Sequence, residues 1–222
     1  PAHGSATKKA LIASFGGELV EVAGPQQAKT DACEQAAEQT TYASHAWSPY
    51  FLLGQMTAAY EIWEQFGGRA PDAIATPLGH GGLFLGIARG FHKLYEAGLV
   101  DKVPRMIAVQ AANSDPIVRG YEAKSEVPPA IEPGQTVADG IIVPKPVRGK
   151  AVLKTIYETD GAAFRVSDEQ ITAAHRAMMR HGLTPEPTSA TTVAAMPQIR
   201  ALIGQDASLV CAITGNGLKY LS

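Results

Sequence analysis

Ala75-Thr-Pro-Leu-Gly79-His80-Gly81-Gly82-Leu83 ends a short apolar run, 71–77, with three glycines in four residues, and then opens an amphipathic stretch over 83–97. The passage predicts a strand, a tight glycine turn and a helix, the unit from which α/β proteins are built. Phe84, Ile87, Ala88, Phe91, Leu94 and Tyr95 recur at three- and four-residue spacing, one apolar stripe suited to lie on a sheet. Gly86 and Gly90 lie beside that stripe and would allow close helix–strand packing. Backbone N–H groups at such a helix start, with the helix dipole behind them, attract a phosphate or carboxylate. Glycine suits the turn because a Cβ would keep a ligand away from the backbone. A turn can need glycines for its own sake, so the glycines alone leave anion binding open. His-Gly-Gly after a strand also occurs in the oxyanion loop of lipases, but that mechanism needs a G-x-S-x-G elbow, and the chain has none.

Outward from this turn, helix and strand signals alternate. Helices are expected over 8–15, closed by Gly16-Gly17, over 26–39, and over 49–66, closed by Gly67-Gly68. Further helices are expected over 167–180 and 189–203, the former opened by a capping box of Ser167 and Gln170. Strands are expected over 18–22, 72–76, 104–110, 162–166 and 208–213, with a short one at 40–43. The stretch 113–146, rich in proline, glycine and charge, reads as a functional loop with a helical piece near 116–123.

The 222 residues are 45% hydrophobic and 18% charged, as in a globular protein, and the net charge of −2 gives no basic surface for nucleic acid or an anionic membrane. No apolar run is long enough to span a bilayer and no leader is visible at Pro1-Ala2-His3-Gly4, so a cytoplasmic setting is expected. Cys33, in a helix, and Cys211, in a strand, are expected to be buried free thiols, with a disulfide between them the lesser alternative. His45, His92 and His181 have no metal-ligand spacing, Trp47 and Trp63 are expected against apolar faces, and Met178-Met179 is expected to fill core.

A second candidate site follows the last strand, at Thr214-Gly215-Asn216-Gly217-Leu218-Lys219. A hydroxyl at the carboxyl end of a strand, followed by glycines, is where α/β proteins place ligand contacts. Between the two sites, Glu186-Pro187-Thr188-Ser189-Ala190 reads on its own as an ordinary helix start.

Taken in order, seven segments resemble one family: Lys9-Ala-Leu-Ile-Ala-Ser-Phe-Gly16, Gly54-Gln-Met-Thr57-Ala-Ala-Tyr-Glu61, Pro71-Asp72 running into Gly79–Gly82, Pro104-Arg-Met-Ile-Ala-Val-Gln110, Val137-Ala-Asp-Gly-Ile141, Glu186-Pro-Thr-Ser-Ala190 and Thr214-Gly-Asn-Gly-Leu-Lys219. The chain resembles the C-terminal two-thirds of the threonine synthases, pyridoxal-phosphate enzymes of the tryptophan-synthase-β superfamily, fold type II. The resemblance implies a three-layer α/β fold, a mostly parallel sheet flanked by helices. Residues 1–44 would be the remainder of a second, smaller α/β domain and 45–222 the large cofactor-binding domain. It implies pyridoxal 5'-phosphate as cofactor, with Gly79, His80, Gly81 and Gly82 on its phosphate, Thr214 on its pyridine nitrogen, and Glu186 and Ser189 near the ring. A small amino-acid substrate and a homo-oligomer are implied as partners.

Three departures qualify it. His80 stands where the family usually has asparagine, and Tyr220 where aspartate is common. The third concerns the chemistry: the family's Schiff-base lysine and substrate-carboxylate loop precede the point matching Pro1. The ten lysines here, Lys8, Lys9, Lys29, Lys93, Lys102, Lys124, Lys145, Lys150, Lys154 and Lys219, read as surface groups, with a structural role for Lys219. The expectation is a piece of a longer or two-chain enzyme, or a lysine-less relative that has lost the chemistry, inactive alone, with the missing N-terminal segment or second chain covering exposed sheet edges. The reaction expected of the whole is elimination or replacement on an amino acid, with O-phosphohomoserine to threonine the leading case. Serine/threonine dehydratases and diaminopropionate lyases are relatives to weigh, and a non-catalytic phosphate- or cofactor-binding domain in regulation or assembly is the alternative.

Overall fold

Side chains alternate across the first strand, Ala73–Pro77 (β1): Ile74 and Leu78 enter one apolar cluster, Ala73 and Ala75 another on the opposite face. Both faces are buried, as expected of a strand inside a parallel sheet. The structure, a computed structural model, describes residues 6–24 and 26–220, and within these not the side chains of residues 6–8, 26, 27, 30, 219 and 220. The chain divides into two compact units, Pro1–Ser44 and His45–Ser222.

The first unit carries helices α1 (Ala6–Ser14) and α2 (Gln26–Ala37). Gly16, at φ +75°, turns the chain after α1, and Lys9 pairs with Glu21 at 2.7 Å. None of its described side chains is buried. The alternating stretch 18–22 and the piece 40–43 are not strands. Alternation makes a strand only where a neighbouring backbone takes up the ladder hydrogen bonds.

The second unit holds helix α3 (Tyr50–Gln65), β1, helix α4 (Gly82–Glu96), strand β2 (Arg105–Ala111), helices α5 (Pro116–Glu122) and α6 (Gly149–Glu158), strand β3 (Ala162–Val166), helices α7 (Asp168–Arg180), α8 (Pro187–Ala194) and α9 (Met196–Ile203), and strand β4 (Leu209–Cys211). The strands lie in the order β3-β2-β1-β4, all parallel. One face of the sheet packs on α3–α6 through Leu52, Phe84, Phe91, Ile117, Leu153 and Ile156. The other packs on α7–α9 through Ile171, Met178, Ala190 and Ile199. This is the three-layer α/β architecture expected from the sequence.

Several details differ from expectation. The helix expected over 189–203 is two, broken at Ala195, because Pro197 in the first turn of α9 lacks the N–H that would continue α8. Helix α6 carries little local signal: it is short, opens on Gly149 and has no capping side chain, although Val152, Leu153 and Ile156 bury one face. The glycines of α4 serve a helix–helix contact, not helix–strand packing. A Cβ on Gly86 would stand 2.5 Å from Cβ of Gln55, and one on Gly90 2.4 Å from Cβ of Ala59, both on α3. Tyr95, Met179 and Trp47 are exposed, and Cys33 and Cys211 are free but half-buried, burial raising the thiol pKa of Cys211. The capping box forms as read, the Gln170 N–H donating to Ser167 Oγ and the Ser167 N–H to Gln170 Oε1.

The direction of the chain across the sheet sets the site. It runs outward from β1 to β2 to β3, then returns through α7–α9 to lay β4 on the other side of β1. The order therefore reverses between β1 and β4, the switch point at whose carboxyl side α/β proteins open a crevice. At the amino side the same two strands are clamped. Ser208 donates from N and Oγ to Asp72 Oδ2, each at 2.8 Å, the Asp72 N–H donates to Ser208 Oγ at 2.8 Å, and Lys102 pairs with the same carboxylate.

Lys102, with Ser208, holds the Asp72 carboxyl down from its usual 3.8 to about 2. A depressed folded-state pKa gives stability that is complete above the unfolded value and is lost as pH falls through the folded one. Thermal melts of the wild type should therefore drop between pH 4 and 2 more steeply than those of Asp72→Asn. Because the carboxylate is partly exposed, the variant should lose only about 1 kcal/mol at neutral pH; parallel acid limbs would contradict this assignment.

Candidate functional site

The glycine turn occupies the carboxyl end of β1, where Leu78 is fully buried and its N–H bonds the Val109 carbonyl at 2.9 Å. Gln110, also fully buried, fixes this end. Its Nε2 donates to the Leu78 carbonyl at 3.2 Å, and its Oε1 accepts the N–H groups of Ile117 and Val118 at the start of α5. Sequence pattern marks Gln110 only as a strand residue; its signal is a glutamine among Ile107, Ala108, Val109 and Ala111, since a buried amide must bond at both ends. Gly81 caps α4 at φ +90°, and a Cβ there would meet Val152 Cγ2 at 2.4 Å. A Cβ on Gly82 would meet Gln55 Oε1 at 2.9 Å. Packing thus requires glycine at both positions.

His80 Nδ1 accepts the Val147 N–H at 3.4 Å, and its ring meets that of His45 edge-on, centroids 6.1 Å apart. With Nδ1 accepting, a neutral ring carries its proton on Nε2. The first N–H groups of α4 add donors with no carbonyl one turn back to take them.

The second cluster forms at the carboxyl end of β4, the strand beside β1. Pairing of the two extends past β4 as the Ala212 N–H bonds the Ala75 carbonyl at 2.9 Å. Ser189, fully buried in the first turn of α8, accepts the N–H groups of Thr214 at 2.9 Å and Gly215 at 3.2 Å on its Oγ, which lies 3.0 Å from Thr214 Oγ1. Thr214 Oγ1 in turn donates to Glu186 Oε1 at 3.2 Å. A Cβ on Gly215 would fall 2.2 Å from Cδ of Glu186, so the carboxylate lies directly over that glycine. The main chains of the two segments also join, the Glu186 N–H bonding the Gly215 carbonyl and the Gly217 N–H the Thr184 carbonyl. Thr214, Glu186 and Ser189 are therefore one hydrogen-bonded group, although 25 or more residues separate Thr214 from the other two.

Of the stretch expected to be a functional loop, 140–143 lies between the clusters, while 116–122 is α5 and Pro128 packs beside Gly120 and Gly149. A 3-10 turn, Asp139–Ile141, sits in this stretch, fixed by the Val143 N–H on Ser114 Oγ and by Thr136 on Asp168. A Cβ on Gly79 would meet Val143 at 3.3 Å and the Gly140 carbonyl at 3.7 Å, and one on Gly140 would meet Thr188 Oγ1 at 2.9 Å. Gly79 on one side and Thr188 on the other thus touch the same turn.

The chain spans about half the length of the curated relatives it matches. It is 32% identical over 217 residues to the threonine synthase of Methanocaldococcus jannaschii, covering 96% of this chain and 53% of that one. With the threonine synthase of Methanosarcina acetivorans it shares 35% over 189 residues, 82% of this chain and 46% of the other. A solved threonine deaminase from T.th. superposes with a TM-score of 0.75 at 28% identity, over 94% of this chain and 66% of that one. The profile of the family described as pyridoxal-phosphate dependent enzyme matches residues 1–215. The chain belongs to this family. Its fold is that of the type II members, whose cofactor is pyridoxal phosphate.

The residues present suit that group. Donors gather at the carboxyl end of β1, and a neutral hydroxyl stands beside them at the end of β4. Two buried polar atoms close by have no partner among the described residues, Thr188 Oγ1 and Arg148 Nε.

Ser189→Ala removes the oxygen that receives two main-chain N–H groups and orients the Thr214 hydroxyl. An unmet buried donor costs about 1–3 kcal/mol, so urea unfolding of the variant should show a loss of that order. A change well below that range, under about 0.5 kcal/mol, would show that Ser189 does not hold the 214–215 turn.

Proposed function

We propose that this chain supplies the phosphate- and pyridine-binding half of a threonine-synthase-like enzyme, residues 45–222 as the cofactor-binding domain and 1–44 as the remainder of the smaller one. The observation that carries the reading is the Thr214–Glu186–Ser189 group lying at the strand end next to the glycine turn, at the switch point of the sheet. Gly79, Gly81 and Gly82 would hold the phosphate through main-chain N–H groups, and His80 through Nε2. Thr214 would give its single proton to the ring nitrogen. Ser189 Oγ–H then donates to Thr214 Oγ1, keeping that proton pointed outward, while Glu186 gives up its bond to Thr214. Pyridoxal phosphate, when bound, draws electrons from the Cα of an attached amino acid, which permits elimination or replacement at Cβ or Cγ. A hydroxyl partner leaves the ring nitrogen unprotonated, whereas a carboxylate would favour its protonation.

Among the described lysine side chains none is built for anchoring a cofactor. Lys9 pairs with Glu21, Lys93 with Glu96, Lys102 with Asp72, Lys150 with Glu126 and Lys154 with Glu158, while Lys124 and Lys145 are exposed and Lys29 is half-buried on α2, in the first unit. The side chains of Lys8 and Lys219 lie outside the described residues. We assign the anchoring lysine, which also moves the Cα proton, to residues beyond this stretch, in the same polypeptide or a second chain. O-phosphohomoserine to threonine, in an amino-acid-forming cytoplasmic enzyme that is a homo-oligomer, is the leading case, supported by the likeness to threonine synthases over most of this chain. The likeness to a threonine deaminase favours a dehydratase as second reading, elimination without replacement. Among the described residues no helix is long and apolar enough to cross a membrane.

Titration of the 222-residue chain with pyridoxal phosphate should give saturable binding by fluorescence, with no borohydride-fixed label on any lysine and no turnover. Borohydride fixation to a mapped lysine would overturn the assignment of the anchor elsewhere, and absence of binding would overturn the cofactor reading.

A further inference from the structure

Arg148 has a charge that no described acidic group around it neutralises. It precedes α6 as that helix's N-cap, with no side-chain cap, and its Cβ lies 3.8 Å from where a Cβ of Gly81, the N-cap of α4, would stand. Two helix amino ends therefore surround it, each carrying partial positive charge. Neither α4 nor α6 has an acidic residue in its first turn. The guanidinium is pinned by Nη2, which donates to the carbonyls of Trp47 at 3.3 Å and Ser48 at 3.0 Å, neither of them ionised. Its Nε is buried and has no acceptor among the described residues. The side chain is half-exposed, so water screens part of its charge, but two positive helix ends and one unmet buried N–H still favour an anion beside it.

We propose that Arg148 is a side-chain anchor for a phosphomonoester dianion seated at the Gly79–Gly82 turn, adding a charge-assisted bond to those of the main chain. This rests on the reading of that turn as the seat of the cofactor phosphate. Arg148 gives the site a fixed charge that backbone amides cannot supply, and the Trp47 and Ser48 carbonyls hold the long side chain in place before the ligand arrives, so little freedom is lost on binding. The dianion could equally come from free phosphate, and the chemistry recognised is the same.

The test compares the wild-type chain with Arg148→Gln and Arg148→Lys, titrated with pyridoxal phosphate, pyridoxal and inorganic phosphate. Glutamine keeps an N–H for the carbonyls without the charge; lysine keeps the charge. In Arg148→Gln the Kd for pyridoxal phosphate should rise about tenfold while that for pyridoxal stays within about twofold, and Arg148→Lys should fall between. A change of less than about twofold for pyridoxal phosphate and inorganic phosphate alike overturns the proposal. If the wild type binds phosphate in an Arg148-dependent way but neither pyridoxal compound, the anion anchor stands and the cofactor reading falls. If Arg148→Gln does not fold, phenylglyoxal labelling of the wild type, mapped by mass spectrometry, replaces it: phosphate should protect Arg148, and unprotected labelling overturns the proposal.

Discussion

The site depends on the parallel pairing of β1 with β4. Residues 73–75 meet residues 209–211 in register, and the Ala212 N–H on the Ala75 carbonyl carries the pairing to the rim. Because the strands run the same way, whatever follows each of them emerges on the same side of the sheet. Glycines 79, 81 and 82 follow one and Thr214 follows the other. The Asp72–Ser208 clamp at the opposite end keeps the two strands from slipping past one another, since a shifted register would carry Thr214 away from the turn. A polar clamp at one end of the pair thus serves the proposed binding site at the other.

Around that pair the protein spends buried polar groups where regular structure cannot reach. Gln110 joins the end of β1 to the start of α5, and Ser189 joins α8 to the turn after β4. Each is fully buried, and each fixes main chain on which a proposed ligand contact sits. The turn at Asp139–Ile141 is held in the same manner, by Ser114 and Asp168. Rigid support of this kind fixes donors before a ligand arrives, which lowers the ordering cost of binding.

Much of this was legible in the residues. The strand–turn–helix at 75–83, the strand at 162–166 and the capped helix after Ser167 follow from local pattern, because hydrophobic period and capping chemistry act over a few residues. The grouping of Thr214 with Glu186 and Ser189 came from resemblance, since no spacing rule brings together residues so far apart in the chain. What local pattern missed was set by distant neighbours. The 18–22 stretch alternates but has no ladder, and the role of Gln110 needs the Leu78 carbonyl that only the parallel sheet delivers. Arg148 carries no local signal in the sequence, and only the fold lays it beside Gly81.

One ligand bridging two strand ends is the centre of the account, and amide chemical shifts of the nitrogen-15-labelled chain report it directly. On addition of pyridoxal phosphate, the N–H signals of Gly79 to Gly82 and those of Thr214 and Gly215 should move along a single binding curve. Shifts confined to one of these groups, or gathered around Lys102 and Arg105 at the opposite end of the sheet, would contradict it.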